Sequence, residues 1–109
     1  MNDRFECEIG SVHAGEPRDV SVRGEIDLAT APELEARVLG AFEGGPSSIV
    51  LDLAALTFID SSGLRALVSL SKEARERGSS FALRNVPRHA QRVLDLTGLS
   101  EYFNPPADA

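Results

Sequence analysis

Residues 49–64 read Ile49-Val50-Leu51-Asp52-Leu53-Ala54-Ala55-Leu56-Thr57-Phe58-Ile59-Asp60-Ser61-Ser62-Gly63-Leu64. Ser48 to Leu53 is mostly apolar, and its β-branched Ile49 and Val50 suit the middle of a covered sheet, so a short strand is predicted there. From Leu64 onward the period changes. Leu64, Leu67, Val68, Ser71 and Ala74 form one helical stripe, Lys72, Glu73, Arg75, Glu76 and Arg77 its wet side, and Gly78 a stop. The intervening Ala54 to Ser61 reads as a loop that turns into a helix. A helix start collects unpaired backbone N–H groups and the positive end of the helix dipole, which makes it a seat for a phosphoryl group or other anion.

Working outward, Phe5 to Ile9 alternates apolar and acidic residues, and Val20 to Arg23 alternates again, which predicts a hairpin joined by an exposed Gly10 to Asp19 turn. Thr30 followed by Glu33 has the spacing of a helix-starting capping box, and Leu34, Val38, Ala41 and Phe42 continue at helical spacing to Gly44-Gly45. Phe81 to Leu83 makes a further strand. Pro87 opens a third helix with Ala90, Val93, Leu94 and Thr97 inside and Gly98 at its end. The order strand, strand, helix, strand, helix, strand, helix predicts an α/β domain. Its small, mostly parallel sheet would be opened by an antiparallel hairpin, continue through right-handed crossovers and be covered by three or more helices. One domain over 1–109 is expected, with a core from about residue 5 to 103 and a frayed polar tail over 104–109.

Composition removes several function classes. The 11 Lys and Arg against 17 Asp and Glu give a formal net charge of -6, so phosphate-driven affinity for nucleic acid has no source. No apolar run approaches the ~20 residues that span a bilayer, and the start lacks the basic and apolar regions of a signal peptide, so a cytoplasmic protein with no membrane contact is expected. Cys7 is the single cysteine, which permits neither an internal disulfide nor, by itself, a zinc site. Gly-rich phosphate loops, dinucleotide fingerprints, clustered metal ligands and a nucleophile elbow are all missing. Of the two histidines, His13 falls in the hairpin turn and His89 begins the third helix, which leaves a serine-dependent enzyme without a placed base. No cofactor and no enzymatic activity are expected.

In parallel α/β sheets partners meet the loops at the carboxyl ends of the strands. If the strand ending near Gly24 neighbours the strand ending near Leu53, Asp27 lies close to Ser61. Each candidate has two readings. Asp60, Ser61 or Ser62 serves as the N-cap of the second helix or belongs to a phosphoryl site. Asp27 is a turn residue bonding its own backbone or an interaction residue. Gly63 costs up to ~1 kcal/mol against Ala in a first helical turn, which points to close approach of another backbone.

Gly24-Glu25-Ile26-Asp27, Leu51-Asp52-Leu53, Phe58-Ile59-Asp60-Ser61-Ser62-Gly63-Leu64 and Arg92-Val93-Leu94-Asp95-Leu96-Thr97-Gly98-Leu99 together resemble the STAS-domain anti-sigma factor antagonists, over roughly Phe5 to Phe103. The resemblance implies a partner-switching regulator of bacterial transcription that binds an anti-sigma factor serine kinase and so releases a sigma factor. It implies Ser61 as the residue which that kinase phosphorylates to end binding, and a PP2C-type phosphatase that restores it. Asp27 and Asp60 match acidic residues of the interaction surface, beside Ser62 and Gly63. Arg65 departs from the pattern, which more often has a small or apolar residue there, and reads either as a solvent-facing side chain or as an intrahelical partner for phosphoserine. A transporter-associated or stress-signalling STAS module shares the fold, and a small serine-dependent enzyme is the reading from another class.

Overall fold

The computed structural model describes residues 4–11, 13 and 15–103, without the side chains of residues 101 and 102; the expected 104–109 tail lies outside the described residues. The strands are β1 (Phe5–Ile9), β2 (Pro17–Ile26), β3 (Ser48–Ile59) and β4 (Ser80–Arg84). The helices are α1 (Ala31–Ala41), α2 (Ser61–Glu76), α3 (Arg88–Thr97) and α4 (Ser100–Phe103). The sheet order is β1-β2-β3-β4, with β1 antiparallel to β2 and the remaining pairs parallel, as the element order predicts.

The main departure is at β3. Its alternation holds through Leu51 and Leu53, then the buried positions become Leu56 and Ile59, three residues apart rather than two. The cause is a pair of register shifts against β2, between Ser21 and Arg23 and between Gly24 and Glu25. Each gives β3 an additional residue and breaks the period that marks a strand in sequence. The expected loop over 54–61 is therefore strand as far as Ile59, and Ile26 and Ile59 end side by side. Asp52 supports the first shift by accepting a 2.9 Å hydrogen bond from the Ala54 amide.

β2 likewise begins earlier than its alternation suggests, at Pro17, where the missing N–H falls at the first strand position. Inside β2, Gly24 has φ +98°, and a Cβ there would lie 1.9 Å from the Arg4 carbonyl oxygen, so no other residue fits the crossing with β1.

One face of the sheet carries the core: Phe5 and Cys7, Val20 and Val22, Ile49, Leu51 and Leu53, Phe81 and Leu83 are buried. Leu34, Val38 and Ala41 of α1 and Leu64, Leu67, Leu70 and Ala74 of α2 are among the buried residues of the helices that contact these strands. The other face is wet, with Glu6, Glu8, Ser21 and Arg23 exposed and Val50 and Asp52 only half-buried. Ile49, expected in a covered sheet, is buried, whereas Val50 lies on the wet face and is only half-buried.

Helix ends follow local chemistry. Thr30 is the N-cap of α1, yet its side chain makes no capping bond and the expected box with Glu33 does not form. At the other end, the Arg18 guanidinium of β2 donates to the carbonyls of Ala41 (2.9 Å) and Glu43 (3.3 Å), tying the end of α1 to the sheet. α3 ends at Gly98 (φ 77°), with the Leu99 amide donating to the Leu94 carbonyl at 2.9 Å. Thr97, expected inside, is exposed and donates to the Val93 carbonyl instead. α4 has no sequence signal. It exists because Phe103, fully buried, packs its ring edge-on against Phe81 with centroids 6.3 Å apart.

The Gly24→Ala protein is expected to lose about 2 kcal/mol or more, from a positive φ and an overlap with backbone that cannot move aside. A urea midpoint equal to that of the parent protein contradicts this account of the β1–β2 crossing.

Candidate functional site

With β2 and β3 in register to Ile26 and Ile59, the chain leaves the sheet at two adjacent points. Asp27 to Thr30 leads into α1, and Asp60 leads directly into α2. The Asp60 amide donates to the Ile26 carbonyl at 3.3 Å, joining the two exits. Gly63 closes the join. A Cβ there would sit 2.7 Å from Ile59 Cγ1, 2.8 Å from the Ile26 carbonyl oxygen and 2.9 Å from Ile26 Cγ2. The close approach read from the sequence is real, and it sets the first turn of α2 on the ends of β2 and β3.

Asp60 is the N-cap of α2. Its backbone is extended, and Oδ1 accepts from the amides of Ser62 (2.9 Å) and Gly63 (3.1 Å). This settles which of the three candidates caps the helix. It also alters the anion seat expected from sequence, because two of the first three helical amides are already held by a carboxylate. The Ser61 amide is the one of the three without a partner among the described residues. Ser61 itself is exposed, and its hydroxyl has no hydrogen bond among the described residues. Ser62 is half-buried and turned toward α1.

Asp27 is half-buried rather than an exposed loop residue, with 16% of its side chain accessible. Oδ1 accepts from the amides of Ala29 (2.9 Å) and Thr30 (3.1 Å), and Oδ2 pairs with the Arg4 guanidinium, which also holds Glu25 at 2.8 Å. The fully buried Thr30 hydroxyl donates to the Glu25 carbonyl (2.8 Å) and accepts from the Asp27 amide (2.9 Å). Asp27 therefore shapes the turn as its backbone-bonding reading required. Desolvation by itself raises its pKa, but the Thr30 and Ala29 amides and the Arg4 charge outweigh it and leave the group below its ordinary 3.8. Asp52 is likewise lowered, chiefly by the Ala54 amide and then by Asn85 and Arg84, against desolvation that raises it.

A shallow cleft of about 180 Å³ runs between the helices, lined by Leu28, Ala31, Pro32 and Glu35 on one side and Ser62, Arg65 and Ala66 on the other. Leu28 is 76% exposed, and Phe58, at the end of β3, is 46% exposed. Neither was picked out from sequence, although a leucine inside the polar turn Asp27-Leu28-Ala29-Thr30 is a signal of a kind. Arg4 was missed because its partner Asp27 lies 23 residues away, in the turn that follows β2. Among the described residues no group of three or more potential metal ligands occurs, and His89 bonds the Leu56 carbonyl at 3.2 Å rather than any serine.

A STAS-domain profile matches residues 11–108. The chain belongs to the STAS-domain family. This STAS domain is 32% identical over 85 residues to the anti-sigma-B factor antagonist of Bacillus subtilis, covering 78% of this chain and 77% of that one. It is 30% identical over 86 residues to the anti-sigma-B factor antagonist of Staphylococcus epidermidis, covering 79% and 80%. The crystal structure of an anti-sigma factor antagonist from Mycobacterium paratuberculosis superposes with a TM-score of 0.78 at 32% identity, covering 99% of this chain and 92% of that one.

Two outcomes are expected of the site. Gly63→Ala, which helix propensity alone would favour by up to ~1 kcal/mol, is expected to destabilise by about 1–3 kcal/mol through overpacking; a protein as stable as the parent in urea contradicts the contact. Asp27 and Asp52 both sit below their unfolded-state pKa, so the unfolded chain binds more protons in the acid range. Their stabilisation is complete above that value and is lost as pH falls through the folded pKa values. Urea midpoints should be flat from about pH 5 to 7 and fall below about pH 4, with a shallower fall in Asp52→Asn. An identical slope in that variant contradicts the assignment.

Proposed function

We propose that this STAS domain is an anti-sigma factor antagonist of the cytoplasm. Its unmodified form binds an anti-sigma factor that is also a serine kinase, freeing a sigma factor, and phosphorylation of Ser61 ends that binding. The observation that carries the reading is the Ser61 hydroxyl, exposed and without a hydrogen bond among the described residues, at the first position of a helix whose start is fastened to the sheet at Gly63. Relatives that are themselves named anti-sigma-B factor antagonists support it. So does the fact that no helix of the described residues is long and apolar enough to cross a membrane.

The chemistry asks little of this chain. Ser61 Oγ forms a bond to the γ-phosphorus of ATP held by the kinase, the bond to the ADP oxygen breaks, and the hydroxyl proton passes to a base of the kinase. Nucleotide and metal belong to that kinase, and a PP2C-type phosphatase hydrolyses the phosphate to reset the cycle. The interaction surface comprises Asp27, Asp60, Ser61, Ser62, Gly63 and Arg65, with Leu28 as an apolar contact. Within it Asp27 and Asp60 act through the turn and the cap that they hold, and Gly63 by allowing the helix to sit where it does.

Phosphorylation adds about 1.5 to 2 negative charges at the rim of this surface. A partner group that faced a neutral hydroxyl then faces a dianion, and a penalty of ~3 kcal/mol corresponds to a little over a hundredfold in affinity. The test is isothermal titration of the cognate anti-sigma factor with unmodified and Ser61-phosphorylated protein, together with mass spectrometry after incubation with kinase and ATP. The expected result is at least about a hundredfold weaker binding on modification, and no phosphate on Ser61→Ala, which still binds. Phosphate confined to Ser62, or equal affinities, overturns the reading.

A further inference from the structure

Arg65 has no acidic partner that its own helix can supply. The positions one turn away on α2 are Ser61, Ser62, Val68 and Ser69, and the first turn contains no acidic residue. Its guanidinium is exposed and makes no ion pair among the described residues, although Glu35 lines the same cleft from α1. It also stands near the positive end of the helix dipole, where a cation is mildly disfavoured. Further along the same helix, Glu73 and Arg77 do form an ion pair at 3.0 Å with the acid four residues ahead of the arginine. Ser61 and Arg65 have that same spacing and order. At 100° per residue, Arg65 lies about 40° around the axis from Ser61 and roughly 6 Å along it, between Ser61 and Ser62 in projection.

The amides offer a phosphate on Ser61 little. Those of Ser62 and Gly63 are held by Asp60, which leaves only the Ser61 amide without a partner among the described residues, and the Asp60 carboxylate is also a like charge beside the phosphorylated position. We infer that Arg65 is the receptor of the Ser61 phosphate, its planar fork donating to the phosphate oxygens in a charge-assisted pair. Modification then acts on the proposed surface twice. Ser61 gains a dianion, and the cleft between α1 and α2 loses its exposed cation to that dianion. This rests on the reading of Ser61 as the phosphorylated residue, but it is tested within the one chain.

The experiment uses the full chain with phosphoserine placed at position 61 during translation, and follows the second phosphate pKa, ordinarily about 6, by ³¹P NMR titration. A paired guanidinium favours the dianion, so removing it raises that pKa. Arg65→Ala and Arg65→Gln are each expected to raise it by about 0.5 unit, about threefold in proton affinity, relative to the Arg65 protein. The other charged groups around the phosphate, namely Asp60 beside it, Glu35 across the cleft and the Arg4, Glu25 and Asp27 cluster on the adjoining turn, are the same in all three proteins. A rise below about 0.2 unit in both variants overturns the inference. That result leaves partner binding and phosphorylation at Ser61 untouched, whereas a kinase that ignores Ser61 defeats the functional reading and not the pairing.

Discussion

The first turn of α2 sits where it does because Gly63 has no side chain. Its Cα faces the Ile26 carbonyl and the Ile59 side chain at distances that a methyl group would violate. From that contact the rest of the site follows. α2 can begin immediately after β3, Asp60 is held to the end of β2 by its amide while its carboxylate caps the helix, and Ser61 is left at the outer surface of a turn that cannot shift inward. Rigid elements on both sides hold a loop-like function in a fixed place, which is how a small domain presents one hydroxyl without a pocket.

Local charge on this rim is arranged around backbone rather than around a ligand. Asp60 satisfies two orphan amides of α2, and Asp27 satisfies amides of Ala29 and Thr30 while pairing with Arg4, the residue just before β1. Both carboxylates that look like interaction residues therefore have structural employment, and substituting either would change the shape of the surface as well as its charge. Arg65 differs. It is a charged group of the rim with no ion pair among the described residues, and so the one whose state a new charge on Ser61 can alter most directly.

Much of this was legible in the chain. β1, the bodies of α1 and α2, the Gly98 stop and the one-after-another order of strands and helices follow from periodicity and from glycine and proline placement. The close approach at Gly63 was visible as a helix-disfavouring residue in a first turn. The second half of β3 was not, because two inserted residues turned a spacing of two into a spacing of three at Leu53, Leu56 and Ile59, which removes the alternation that marks a half-buried strand. α4 and the Arg4–Asp27 pair were invisible for a related reason: both are held by contacts between residues far apart in sequence, and neither Phe103 nor Arg4 has a local pattern that reveals its partner. Thr30 had the capping pattern and the wrong outcome, since a buried hydroxyl facing the Glu25 carbonyl finds a better partner than the helix amides.

If the scaffold is rigid at Gly63 and the proposed switch is one of surface charge, phosphate on Ser61 should leave the fold alone. Amide hydrogen exchange, measured residue by residue by NMR on the unmodified and the Ser61-phosphorylated protein, tests this most directly. The account predicts altered shifts and protection only around residues 26–30 and 60–66, with the amides of β2 and β3 equally protected in both forms. A general loss of protection across the sheet on phosphorylation would contradict it, because release of a partner would then come from unfolding and not from a charge placed on an intact surface.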